Sequence, residues 1–430
     1  MSGRSFIRSE ALLERALRTI PLGSQTFSKS KTQYPFGVSP YFIVRGKGSR
    51  VWDVDGNEYV DFVNALAAVT LGYCDPHVDA AVRDQLESGV VFSLPHPLEV
   101  QVAEEISKLV PCADMVRFGK NGSDATSGAI RLARAYTRRD HVAVCGYHGW
   151  QDWYIGATSR NAGVPAATRE LTHTFRYNDV RSLDDLLRKF PQQFAAVILE
   201  PMNVEPPLND FLQEVKALAH QHGAVLVFDE TITGFRYHIG GAQAFFGVTP
   251  DLATFGKGLA NGFPLSAIAG RREIMQLMEE IFFSFTFGGE TLSLAAALAT
   301  LQKLQREPVI ERLAVTGGKI EAIVRGAVAS YGLGEHLGFS GHPAWSFLTF
   351  RDAGTLTSWD LKTLYLQEMF AQGVLILGTH NVSFAHDAAD LARLDAAYKA
   401  TCAKLADVIG GRPLKELLHC EPLRPLFRVR

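Results

Sequence analysis

Short apolar runs alternate with longer segments of helical spacing from about residue 65 to residue 300. The runs at 115–118, 141–145, 195–199, 224–228, 251–255 and 265–269 have the length of strands. Between them, 78–88, 123–136 and 211–220 repeat apolar residues three and four apart, the period of a helix with one buried face. This rhythm predicts an α/β domain with a mostly parallel sheet covered on both faces by helices. Upstream, 6–18 has the spacing of an N-terminal helix, and 20–40, rich in Ser, Lys, Gly and Pro, reads as a loop across a surface or subunit boundary. Residues 51–60 alternate around Asp55-Gly56, a hairpin signature. The acids of that stretch do not have EF-hand spacing, which argues against a calcium loop. Beyond residue 309, long helices mix with strands expected at 347–350 and 373–377. The expected division is an arm and hairpin over 1–64, a large domain over 65–307 and a small α+β domain over 308–430, with a seam at Arg306-Glu307-Pro308.

Candidate chemistry gathers at the ends of two of these strands. The run ending in Phe228-Asp229-Glu230 delivers two acids, and the next apolar run leads into Phe255-Gly256-Lys257-Gly258-Leu259-Ala260. A lysine among small residues after a strand is partly buried, and burial lowers its pKa. A neutral amine is what Schiff-base chemistry with an aldehyde requires. An aspartate at a neighbouring strand end suits the ring nitrogen of a pyridoxal cofactor. Lys257 and Asp229 together therefore point to pyridoxal 5′-phosphate (PLP). Asn121-Gly122-Ser123-Asp124, after a strand and before a helix, forms either an anion cradle for the phosphate or an ordinary N-cap, and both roles are compatible.

The segment from Phe228 to Arg236, the lysine segment and Thr286-Phe287-Gly288-Gly289 resemble the class III aminotransferases. Within them the chain is most similar to the glutamate-1-semialdehyde aminomutase branch, over about residues 20 to 386. The resemblance implies PLP fold type I and a homodimer with shared active sites, acting on a small-molecule amino donor and a carbonyl acceptor. It implies that Lys257 holds PLP and shuttles a proton, with Asp229 on the ring nitrogen, Thr231 against one ring face and Tyr147 flat against the other. Asn121, Gly122 and Ser123 would hold the phosphate, although the family pattern there is Ser-Gly-Thr-Glu. Thr286 matches a residue that reaches the partner subunit's phosphate. Glu200 and Glu205 match positions lining the site, and His148 either tunes it or satisfies a local hydrogen bond.

The substrate end departs from that branch. Lys29 stands where an arginine grips the substrate carboxylate, and lysine cannot reproduce a planar two-bond clamp. Ser383 stands where many ω-aminotransferases carry a second arginine, and the Ser383-Phe384-Ala385-His386 form resembles the mutase branch instead, so no second cation replaces the clamp. These departures direct the expectation away from glutamate-1-semialdehyde toward a sugar-derived or other polar carbonyl, hydrogen-bonded by Gln25, Lys29, His380 and Asn381. An intramolecular aminomutase or a PLP-dependent epimerase is the alternative. A non-catalytic PLP-binding protein fits poorly with an intact Lys257, Asp229 and Tyr147.

Composition narrows the remaining classes. The 430 residues carry a formal charge of −2, which gives no electrostatic footprint for nucleic acid or an anionic membrane. The terminal basic residues Arg424, Arg428 and Arg430 read as a solvated end. No run reaches membrane-spanning length, and no apolar signal core follows Met1. Five scattered cysteines have neither disulfide nor zinc spacing, so no metal is expected and a cytoplasmic location is. No Gly-x-Gly-x-x-Gly turn follows the early strands, which disfavours a dinucleotide-binding enzyme.

Overall fold

In the computed structural model, which describes residues 4–424, the six expected strands and one unexpected strand, Thr172–Thr174, form one seven-stranded sheet. They are β1 (Met115–Gly119), β2 (His141–Cys145), β3 (Thr172–Thr174), β4 (Phe194–Leu199), β5 (Val225–Asp229), β6 (Leu252–Phe255) and β7 (Ser266–Gly270), in spatial order β1-β7-β6-β5-β4-β2-β3. Pairing is parallel from β3 through β6, whereas β7 runs antiparallel to both β6 and β1. The sheet is thus mixed, as expected, and the two reversals leave the C-terminal end of β1 on the same edge as those of β2, β4, β5 and β6. Every residue of β4, β5, β6 and β7 is buried. Alternate side chains feed two separate cores. Val142, Val144, Ile198, Val227 and Ile268 pack with Ala129, Leu132 and Ala133 of α1 (Gly122–Thr137) on one face. Ala143, Val197, Leu199, Leu226 and Phe228 pack with Phe211, Leu212 and Val215 on the other.

Residues 76–310 constitute one compact unit, and residues 4–75 with 311–424 constitute a second. In the second, Arg50–Asp53 and Glu58–Asp61 form the expected hairpin, with Val51 opposite Tyr59 and Gly56 at φ +90° in the turn. Glu58–Asp61 also pairs in parallel with Val374–Leu375, so the strand expected near 373–377 completes the hairpin's sheet. Leu337–His342, Trp345–Phe350 and Thr379–Asn381 make a separate antiparallel sheet. Ile7–Leu17 is the N-terminal helix, and the 20–40 segment contains two short 3-10 turns, Pro21–Gly23 and Phe27–Lys29. Arg428 and Arg430 lie outside the described residues. Among the described residues, no helix is long and apolar enough to cross a membrane, and the five cysteines are unbridged.

Candidate active site

The carboxyl edge of the parallel strands is where open α/β sheets bind ligands, and the chain puts its chemistry there. In register, Cys145 lies opposite Leu199, Leu199 opposite Phe228, and Asp229 opposite Thr254. The residues just beyond those positions are Tyr147 and His148, Glu200, Thr231 and Lys257, all brought to one edge.

Asp229, the last residue of β5, is buried with its carboxylate surrounded by donors. Its Oδ1 accepts from Thr231 N at 3.1 Å, Thr231 Oγ1 at 2.5 Å and Thr254 Oγ1 at 3.2 Å. Its Oδ2 lies 2.9 Å from His148 Nδ1. Burial alone would raise the Asp229 pKa. The bond and charge of His148 and the two bonds from Thr231 outweigh it and hold the carboxyl below its usual range. The other nitrogen of His148 lies 3.1 Å from the Cys145 carbonyl. With a carbonyl at one end and a carboxylate at the other, the ring meets an acceptor at both nitrogens, so it serves Asp229 as a donor. The even choice left by the sequence is thereby narrowed, since His148 acts on the aspartate. Trp153 stacks over the ring at 6.5 Å, and Tyr154 packs edge-on at 5.3 Å.

Lys257 follows β6 with φ +43°, flanked by Gly256 and Gly258. A left-handed lysine costs about 1–2 kcal/mol, a strain found where the fold must aim a side chain. No hydrogen bond or ion pair engages its amine among the described residues. Burial lowers its pKa, and the nearby Arg236 charge adds to that, against opposing pulls from Asp229 and Glu200. This is the state a nucleophilic amine needs.

The turn between β1 and α1 closes the other end. Asp124 Oδ2 accepts from Asn121 N at 2.7 Å and Lys120 N at 3.2 Å, which leaves the first-turn amides of Gly122 and Ser123 free of an intrahelical acceptor. This cradle is packed from two sides. A Cβ at Gly122 would come within 2.9 Å of the Thr231 methyl, and one at Gly149, at φ +105°, within 2.4 Å of Ser123 Oγ. The Trp150 amide donates to that same Ser123 hydroxyl at 3.3 Å, and Thr126 Oγ1 donates to the His148 carbonyl at 2.8 Å. Gly122, Thr231, Ser123 and the 146–150 loop therefore converge. An aldehyde-reactive amine, a buried carboxylate kept ionised and a helix start with free amides, all at one sheet edge, fit PLP.

The remaining expected residues separate. Glu200 is buried in the cluster, accepting from Asn203 Nδ2 at 2.6 Å and Tyr147 N at 3.3 Å, and burial followed by the Asp229 charge raises its pKa. Glu205 is exposed in the segment after it, outside that hydrogen-bonded cluster. The Tyr147 ring is half exposed and meets Tyr154 edge-on at 5.6 Å. Thr286 lies on an exposed turn. Lys29 belongs to the other compact unit, where it lines a cavity of about 490 Å³ with Gln25, Tyr34, Tyr41 and Asp61. His380 and Asn381 are not available to a ligand as expected. His380 is enclosed between Ser346 Oγ at 3.2 Å and Tyr398 OH at 2.7 Å, and Asn381 Nδ2 donates to the Val63 carbonyl at 2.7 Å. Both sit on Thr379–Asn381, a strand of the antiparallel sheet, where they point to opposite faces and both are buried. Sequence reasoning missed Thr254 and Lys120. The parallel register of β5 and β6 could have supplied Thr254, but nothing local signals the partner of Lys120.

The class-III aminotransferase family model matches residues 33–387. The chain is 35% identical to the 3-aminobutyryl-CoA aminotransferase of Cloacimonas acidaminovorans, over 94% of this chain and 98% of that one. It is 36% identical to the glutamate-1-semialdehyde 2,1-aminomutase of Desulforamulus reducens, over 92% and 98% of the two chains. Among solved structures, the PLP form of the FumI protein from Sphingopyxis sp. MTA144 superposes with a TM-score of 0.86 at 29% identity, covering 96% of this chain and all of that one. A match along most of the chain, joined to the lysine and aspartate at the sheet edge, makes this protein a member of the class-III aminotransferase family, a PLP-dependent enzyme of fold type I.

Proposed function

We propose that the protein is a cytoplasmic, homodimeric aminotransferase that moves an amino group from a small-molecule donor to a polar aldehyde or ketone acceptor. The observation that carries this reading is the unpaired Lys257 amine, depressed by burial, beside a buried Asp229 held ionised by His148 and Thr231. PLP, when bound, supplies an aldehyde that bonds to amines and a ring that takes up electrons. Lys257 would hold the cofactor through its neutral amine and would carry a proton to and from the substrate Cα. Asp229 keeps a proton on the ring nitrogen. Gly122 and Ser123 would hold the phosphate through backbone amides, with the Ser123 hydroxyl beside them, and Thr231 and Tyr147 would flank the ring. Thr286, exposed on its turn, is assigned to the partner subunit's phosphate.

For the acceptor, a sugar-derived carbonyl keeps only Gln25 and Lys29 of its four expected partners, because His380 and Asn381 are spent inside the fold. The wider class of polar carbonyls is therefore the reading retained. Lys29 in place of an arginine clamp makes glutamate-1-semialdehyde a poor substrate. An intramolecular aminomutase is the second reading, favoured by the 36% identity to an enzyme of that name. The test is a panel of amino donors and carbonyl acceptors followed by the change in cofactor absorbance in each half-reaction. Turnover with external pairs supports the proposal. Efficient conversion of glutamate-1-semialdehyde, with feeble reaction of every other carbonyl, overturns it in favour of the mutase.

A further inference from the structure

Three basic residues of the β1–α1 unit hold the segment that carries Thr286. Arg131 donates to the Phe282 carbonyl at 2.8 Å and Arg117 to the Phe283 carbonyl at 3.2 Å, which pins the segment where it begins. Where it ends, Lys120 Nζ meets Glu290 Oε2 at 3.0 Å. That last contact differs from the surface ion pairs of the chain, because its side chains are only 15% and 13% exposed and so are poorly screened. Glu290 is also the N-cap of α2 (Thr291–Arg306), accepting from Leu292 N at 2.7 Å and Ser293 Oγ at 2.5 Å. Lys120, at the other end of the bridge, is the residue immediately before the Asn121–Ser123 cradle, and Asp124 fixes its amide. One ion pair thus joins the residue before the phosphate cradle to the residue after the Thr286–Gly289 turn, 170 positions away.

We propose that Lys120 and Glu290 are a positioning pair for cofactor phosphate, holding the Thr286 turn in fixed relation to the cradle of the same chain. The inference rests on the reading that Thr286 contacts phosphate in the partner subunit. On that reading the pair also ties each chain's own cofactor cradle to the arm it extends toward its partner. Neither residue is assigned contact with substrate. Lys120→Met keeps the aliphatic stem and isolates the ion pair, whereas Glu290→Gln removes the charge and keeps one of the two oxygens that cap α2.

The experiment measures the PLP dissociation constant of the apoenzyme by fluorescence titration, together with the melting temperature of the apoenzyme. Lys120→Met and Glu290→Gln are each expected to weaken PLP binding roughly tenfold, with the double variant no weaker than either, as coupled residues behave. Lys120→Arg is expected to restore binding to within about twofold. In a Thr286→Ala background, Lys120→Met should add nothing. Equal weakening by Lys120→Met with and without Thr286 overturns the proposal, as does an unchanged dissociation constant in both single variants. A fall in apoenzyme melting temperature that tracks the loss of affinity also overturns it, in favour of a merely structural bridge. If Thr286→Ala itself leaves PLP binding unchanged, the underlying assignment of Thr286 has failed instead, which is a separate result.

Discussion

Replacing His148 with leucine removes one of the four donors around the Asp229 carboxylate and leaves Thr231 N, Thr231 Oγ1 and Thr254 Oγ1 in place. Asp229 is buried, so the lost bond is not replaced by bulk water. A hydrogen bond to a charged group is worth about 1.5–3 kcal/mol, and one pKa unit corresponds to about 1.4 kcal/mol. The Asp229 pKa should therefore rise, because burial, the largest influence on this group, acts in that direction and is no longer offset by His148. Protonated Asp229 cannot hold a proton on the ring nitrogen. The acid limb of the kcat profile should consequently move up by roughly 1–2 pH units, with little loss on the alkaline side. His148→Asn retains an amide donor and should shift the limb less. The assay is kcat against pH for wild type and both variants, with cofactor occupancy checked by absorbance. A fully loaded His148→Leu enzyme whose profile overlays that of wild type would refute the argument that His148 sustains the charge of Asp229.

Borohydride treatment of the wild-type holoenzyme should fix the cofactor to the peptide containing Lys257, and Lys257→Ala should show no trapped cofactor by mass spectrometry. Inactive Lys257→Ala mixed with inactive Thr286→Ala should regain activity on subunit exchange, because one site in each hybrid then has both native residues. Exchange without recovery counts against a shared site. Stability should fall as pH drops from 6.5 toward about 4, because burial, followed by the charge of His141, depresses the His173 pKa to about 4. The folded chain then binds fewer protons than the unfolded chain within that window. Substituting His173 with phenylalanine should lessen that dependence in thermal melts, and an unchanged acid slope would show that the 2.8 Å His141–His173 pair does not contribute to it.

The parts of this fold that the sequence revealed are those whose environment is uniform along the strand. β4, β5 and β6 are buried on both faces, so their runs are almost wholly apolar, Asp229 and Thr254 excepted, and each observed bound differs from the expected one by a single residue at most. β3 was not visible, because Thr172-His173-Thr174 is short, polar and at the edge of the sheet. His380 and Asn381 look like loop residues in sequence. Their strand is defined only by pairing with Trp345–Phe350, more than thirty positions earlier. The four consecutive left-handed residues Asn64, Ala65, Leu66 and Ala67 carry no glycine to announce them. In the site, Lys257 and Asp229 were legible because a lysine and an acid at neighbouring strand ends conflict with burial unless chemistry uses them. The donor role of His148 was not legible, since it depends on a contact across 81 positions.

The most direct test of the central claim is the stoichiometry of a complete reaction with the best donor and acceptor pair. Donor ketone, donor amine, acceptor and aminated product would be quantified together by mass spectrometry with an isotopically labelled donor nitrogen. Transamination predicts one equivalent of donor ketone per aminated product, with the label carried into that product and turnover abolished in Lys257→Ala. Aminated product that forms without donor consumption and carries no label would contradict it.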